Sequence, residues 1–329
     1  MKPEETCVDA EAGSTEVLPD STHRGLKPRH TVMIALGGSV GTGVFIGSAA
    51  ALARGGPGFL LLCYLLVSIF TYFIVTAAIE VASYLPVSGG TMSFYAGRNV
   101  SPSLGFALGW LYFYSLGILV PYEITAAGLL IDYWNSPVNI AVWISILIVV
   151  IVGLNLMPVA VYGETEFWFA SIKVIMLVGF FILTIVLFFG GGPQQHGVMG
   201  FHYWNSPGAT NTWLAGGDRG RFIAFLEVLI LSSFPFLFSP ELVVATGGEM
   251  KNPRRNLPKA GRSMFVRLMF FYVLSIIAIG IICPYNDPEL VDSSGGAKTS
   301  AFVVGVVNAG ITAVPSIINA GKTFGTHFT

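Results

Sequence analysis

Three ionisable side chains, Glu123, Lys173 and Glu241, sit inside long apolar stretches. A charge at the centre of a membrane helix costs at least about 2.5–3.5 kcal/mol, so such residues face a cavity or a partner. Glu123 is open to three uses: binding an amine, relaying a proton, or tying helices together by hydrogen bonding. Glu241 reads as lining a site. Lys173 lies nearer one end of its stretch, so it can also snorkel outward. The backbone offers a second chemistry. The run Gly37-Gly38-Ser39-Val40-Gly41-Thr42-Gly43 lies mid-way along the first apolar segment. Each glycine costs an ordinary helix about 1 kcal/mol relative to alanine. A helix broken at mid-membrane bares N–H and C=O groups that lipid cannot satisfy, so the break must be buried in protein or line a cavity. A helix start there carries partial positive charge and unpaired donors, which suit an anion. The competing reading is close helix packing, since Gly37-x-x-x-Gly41 and Gly43-x-x-x-Gly47 both fit the small-residue pattern.

Other chemistries do not assemble. The five histidines (His23, His30, His196, His202, His327) fall outside the apolar spans, and the three cysteines (Cys7, Cys63, Cys283) have neither metal spacing nor a disulfide framework. Gly321-Lys322-Thr323 resembles the end of a phosphate loop, but Ser316 stands where its first glycine is required. Gly41-x-Gly43-x-x-x-Gly47 is wrongly spaced for a dinucleotide. No catalytic residue, metal or cofactor is expected.

The elements that must position these residues are membrane spans. The chain is 53% hydrophobic and 11% charged, against about 25% charged in a soluble domain. It is read as an all-α integral membrane protein in contact with the bilayer. The net charge of −1 gives no reason to expect nucleic acid. Residues 1–25 are polar, acid-rich and expected to be a disordered tail without a signal peptide. Spans are expected over about 31–53, 59–84, 104–131, 138–157, 167–189, 222–247 and 264–283, with part of an eighth from 301 to 320 and an atypical end at 321–329. The first span is interrupted by its glycines and the sixth by Pro235 and Pro240. Two such spans, five apart, enter the membrane from opposite sides, as in inverted-repeat transporters.

Basic residues set the orientation. With the N-terminus cytoplasmic, Lys2, Arg24, Lys27, Arg29, Arg98, Lys173, Lys251, Arg254, Arg255, Lys259, Arg262 and Arg267 lie inside. Only Arg54, Arg219, Arg221 and Lys298 lie outside. This is the positive-inside pattern, and it opposes a seven-helix receptor. Glu80 and Glu227 fall near span ends and read as interfacial.

Five stretches together carry a resemblance. They are Leu26-Lys27-Pro28-Arg29-His30-x-x-Met33-Ile34-Ala35-Leu36-Gly37-Gly38-x-x-Gly41-Thr42-Gly43-Val44-Phe45-x-Gly47-Ser48; Leu85-Pro86-Val87-Ser88-Gly89-Gly90; Pro121-x-Glu123-Ile124-Thr125-Ala126-Ala127; residues 166–175, Glu-Phe-Trp-Phe-Ala-Ser-Ile-Lys-Val-Ile; and Gly248-Glu249-x-x-Asn252-Pro253-Arg254-Arg255-Asn256-Leu257-Pro258. In order and spacing the chain resembles fungal amino-acid permeases of the amino acid–polyamine–organocation superfamily, from about residue 25 to 320.

The resemblance implies an inverted-repeat transporter with discontinuous first and sixth spans. It implies an α-amino acid substrate, carried with protons across the plasma membrane. Gly41, Thr42 and Gly43 would clamp the carboxylate. Carbonyls at the sixth-span break, from Phe236 to Ser239, would take the ammonium group, with Glu123 and Glu241 lining the site. Lys173 becomes a proton-coupling candidate, because a lysine on this span replaces a sodium ion in sodium-independent relatives. Two departures stand out. The family has twelve spans in a five-plus-five repeat plus two, whereas this chain offers about seven and part of an eighth, so the second repeat is incomplete. The family's Gly-x-Glu at the sixth-span break is here Ser239-Pro240-Glu241. Alternatives to transport are a truncated, transport-incompetent fragment, retained in the endoplasmic reticulum, or a non-transporting amino-acid sensor.

Overall fold

The computed structural model describes residues 43–84, 91–132, 138–157, 159–191, 198–236, 244, 253–290 and 300–311. The expected tail at 1–25, the glycines before Gly43, the Ser239-Pro240-Glu241 stretch and the end at 321–329 lie outside them. All regular elements among the described residues are helical. A wide π turn, Gly43–Gly47, leads into α1 (Ser48–Tyr84); α2 (Met92–Asn99), α3 (Pro102–Asp132), α4 (Ile140–Asn155) and α5 (Val159–Phe188) follow. Then come a second π turn (Trp204–Gly208), α6 (Gly217–Ser233) with a 3₁₀ turn (Phe234–Phe236), α7 (Pro253–Ile282) and α8 (Ala301–Asn308). Among the described residues, four helical stretches are long and apolar enough to cross a membrane: Ser48–Tyr84, Pro102–Thr125, Phe167–Phe188 and Leu257–Ile282.

α1 holds 37 residues but is not one rod: Gly56 takes φ 78° and ψ 172°, followed by Pro57. Its Ser48–Gly55 portion is the end of the first span, and the rest is the second span. The kink falls in Gly55-Gly56-Pro57-Gly58, between the expected first and second spans. Several helices start outside the expected limits: α6 begins at Gly217 rather than about 222, and α7 at Pro253 rather than about 264. α2 lies within the polar connector between the second and third spans, and α5 begins at Val159, so Glu164 and Glu166 are helical rather than in a connector. Hydropathy reports the thickness of the hydrocarbon, about 20 residues of helix, not where a helix ends. A 30-residue helix such as α5 is about 45 Å long and extends beyond it.

The second span and α7 run antiparallel in a regular register. A Cβ on Gly280 would lie 3.1 Å from Pro57 Cβ, the Tyr64 and Tyr272 rings are 6.3 Å apart, and those of Tyr72 and Phe265 are 5.4 Å apart. α6 runs antiparallel to the end of the first span, with Val228 filling the space a Cβ on Gly55 would need. α8 closes this group: Phe302 meets Phe180 of α5 at 4.4 Å and Phe45 of the π turn at 5.1 Å. One core therefore joins the first, second, fifth, sixth and seventh spans with α8. Lipid tails are as apolar as leucine, so tight packing rather than exclusion of water holds such helices together. α3 and α4 carry much of the exposed apolar surface among the described residues, including Phe106, Phe113 and Val149.

Candidate functional site

The site is built where the two interrupted spans cross. A Cβ placed on Gly43 would lie 3.0 Å from Pro235 Cγ and 3.2 Å from Pro235 Cα. Only a residue without a side chain lets the backbone come this close without a shift. Pro235 has no N–H to continue the α-helical ladder, and the sixth span tightens there into the Phe234–Phe236 turn. Such a break frees carbonyls that must find other donors. One is satisfied from outside its own helix: Tyr272 Oη on α7 donates to Pro235 O at 3.0 Å.

Tyr272 is fully buried, and its ring stands edge-on to Phe236, with centroids 4.7 Å apart. Tyr64 of the second span completes the group, 6.0 Å from Phe236. Three rings from the second, sixth and seventh spans thus enclose the broken turn. A buried tyrosine usually needs a hydrogen-bond partner for its hydroxyl. Both tyrosines lie in ordinary apolar runs, and nothing in the sequence singles them out.

The third span reaches the same turn through Tyr122, whose ring lies 5.6 Å from that of Phe234. Glu123 is half-buried next to it, beside the buried Ile124. Pro121 leaves a gap in α3, and Thr125 Oγ1 donates back to its carbonyl at 2.7 Å.

Lys173 is 1% exposed. It lies on one face of α5 with the buried Ala170, Leu177, Phe180 and Thr184, the spacing that puts residues above one another on a helix. That face meets α8 through Phe180 and Phe302, and through Phe302 the π turn of the first span. A side chain so enclosed is not snorkelling to the interface, which removes that alternative.

Of the residues singled out in the sequence, Gly43 and Phe236 meet at the crossing through Pro235, with Glu123 nearby on α3. Gly41, Thr42, Ser239 and Glu241 lie outside the described residues. Near the Gly56 kink, Arg54 pairs with Glu227 of α6 and lies 5.1 Å from the ring centroid of Trp213. The same loop hydrogen-bonds the turn after the first span: Asn211 Nδ2 donates to Ala53 O at 2.8 Å, Asn211 N to Gly55 O at 2.9 Å, and Gly58 N to Ala209 O at 2.7 Å. Glu227, read from sequence as interfacial, is thus a link between the two interrupted spans.

The first and sixth spans thus approach closely at Gly43 and Pro235, with the rings of Tyr64 and Tyr272 packed around the Phe234–Phe236 turn. Comparison with known proteins gives the family. Residues 30–323 match the family model described as amino acid permease. The chain belongs to the amino acid permease family. A proline-specific permease of Emericella nidulans is 45% identical over 304 residues, covering 91% of this chain and 55% of that protein. The proline-specific permease of Saccharomyces cerevisiae is 46% identical over 309 residues, 92% of this chain and 49% of its own. The dicarboxylic amino acid permease of the same yeast is 41% identical over 304 residues, covering 90% and 49%. The chain spans about half the length of these curated relatives. Membership of the permease family, together with the apolar helices, makes it an integral membrane protein of transporter fold.

Proposed function

We propose that the chain carries the broken-span portion of a proton-coupled amino-acid importer of the plasma membrane, with a cytoplasmic N-terminus. The observation that carries this reading is the crossing of Gly43 and Pro235, with the Pro235 carbonyl held by Tyr272. The bared N–H groups at Gly41, Thr42 and Gly43 take the substrate carboxylate. Carbonyls between Phe236 and Ser239 take its ammonium, with Glu123 and Glu241 lining the cavity. Such half-helix ends near the midplane are how many secondary transporters hold a small zwitterion. Lys173 is the proton-coupling group, since a buried cation beside the first span responds to charge arriving there. Access alternates as the first and sixth spans, with the second and seventh, rock against the rest. Proline is the first substrate to try, because two of the relatives are proline-specific permeases.

The test is uptake of radiolabelled proline and a panel of other amino acids across an imposed pH gradient, with Lys173→Ala beside the wild type. Gradient-driven uptake lost in Lys173→Ala is the expected result. Uptake indifferent to both the gradient and the substitution rejects coupling through Lys173. Saturable binding without uptake at this length of chain marks the sensor or transport-incompetent reading instead.

A further inference from the structure

We infer that the inner end of α7 carries a binding site for anionic phospholipid head groups, formed by Arg255, Lys259 and Arg262. All three side chains are exposed. At 3.6 residues per turn they fall within an arc of about 60° on the helix. Continuing toward the membrane centre, the same stripe holds Val266 and Phe270, exposed at 57% and 61%. The opposite face, with Leu257, Phe265, Leu268, Tyr272 and Ile276, is buried against the rest of the protein.

We place the exposed side of α7 against lipid, since among the described residues no other helix covers it. Val266 and Phe270 therefore touch acyl chains, and the three cations on the same line stand at the level of the head groups. A soluble anion has no reason to prefer this continuity of charge into lipid-facing apolar surface. From Pro253 to Ile282 the helix contains no acidic residue, while Arg254 and Arg267 add further exposed positive charge. Arg98, exposed on α2, belongs to the same end, because its neighbour Tyr95 packs in one cluster with Leu257 and Phe265. Acidic groups occur on other helices, Glu80 on α1 and Glu164 on α5, but neither lies on the α7 stripe. The distribution of basic residues puts this end at the cytoplasmic leaflet, whose anionic lipids attract about 1 kcal/mol per nearby lysine or arginine.

A topology signal alone requires positive charge somewhere in the loop, not its alignment with the lipid face. The test distinguishes the two. Wild-type protein is reconstituted in phosphatidylcholine vesicles with spin-labelled phosphatidylserine or spin-labelled phosphatidylcholine, and the motionally restricted fraction of each is read by electron paramagnetic resonance. Phosphatidylserine is expected to be preferred. The preference should fall at least about twofold in R255Q/K259Q/R262Q, persist in R255K/R262K, and fade as salt is raised. Equal preference in wild type and the triple glutamine variant overturns the site, leaving a topology signal only. Complete displacement by inorganic phosphate at constant ionic strength also overturns it, in favour of a soluble anion. Should the glutamine variant fail to insert, the salt titration of the wild type decides: a preference indifferent to salt contradicts the proposal.

Discussion

The hydroxyl of Tyr272 on the seventh span donates to the carbonyl of Pro235 on the sixth, at 3.0 Å. The bond crosses between helices and serves a carbonyl at the interrupted turn. It ties the geometry of the break to α7. Interhelical hydrogen bonds in membranes contribute about 0.6 kcal/mol on average and at most about 1.7. Tyr272→Phe keeps the ring against Phe236 and Tyr64 and removes only this bond. It is expected to lower thermal stability slightly and to raise the KM for uptake by up to about tenfold, with the maximal rate little changed. Tyr272→Ala also empties the space of the ring, at a cost of about 3–5 kcal/mol, and should lose both expression and transport. A Tyr272→Phe variant with unchanged KM would show that the bond has no part in shaping the site.

Much of this arrangement was legible in the sequence, and the reasons are specific. Pro235 announced the interruption of the sixth span because lipid penalises breaks so strongly, whereas the glycine run before Gly43 lies outside the described residues. Lys173 stood out because charge is rare in apolar helices. The partners of these features were not legible. Tyr64 and Tyr272 look like ordinary apolar-run tyrosines until the antiparallel register of two distant helices brings them to Phe236. Arg54 and Glu227 lie 173 positions apart, and each alone reads as an interfacial charge. Nothing local in either stretch says that they meet.

The Arg54–Glu227 pair links the first and sixth spans near the Gly56 kink, with side-chain exposures of 17% and 33%. A partly exposed pair of this kind contributes on the order of 1 kcal/mol. Arg54→Ala and Glu227→Ala should each lower the melting temperature in detergent, and the double variant should be less destabilised than their sum. Exchanging the charges, Arg54→Glu with Glu227→Arg, should recover part of the loss. Strict additivity in the double-mutant cycle would mean that the two groups do not interact.

Gly56 and Gly47 make a contrasting pair. Gly56 has φ 78°, and a Cβ there would lie 2.9 Å from Ala209 O and 3.2 Å from Thr210 Cα. Left-handed backbone costs an L-residue roughly 1–2 kcal/mol, so Gly56→Ala should destabilise by at least that amount and loosen the 198–216 loop. A Cβ on Gly47 meets nothing within 4 Å, so Gly47→Ala should be tolerated. Thermal melts of the two variants, with limited proteolysis of the 198–216 loop, check this. Equal behaviour would contradict the turn geometry at Gly56.

The account depends most on the closeness of the two broken spans at Gly43 and Pro235. Equilibrium binding of radiolabelled amino acid to purified, reconstituted protein tests it most directly, comparing wild type with Gly43→Val. The added side chain must push the sixth-span turn away, since even a Cβ would lie 3.0 Å from Pro235. Saturable binding by wild type, lost in a Gly43→Val protein that still inserts and melts cooperatively, is the predicted result. Undiminished binding by that variant would mean that the substrate is held somewhere other than this crossing.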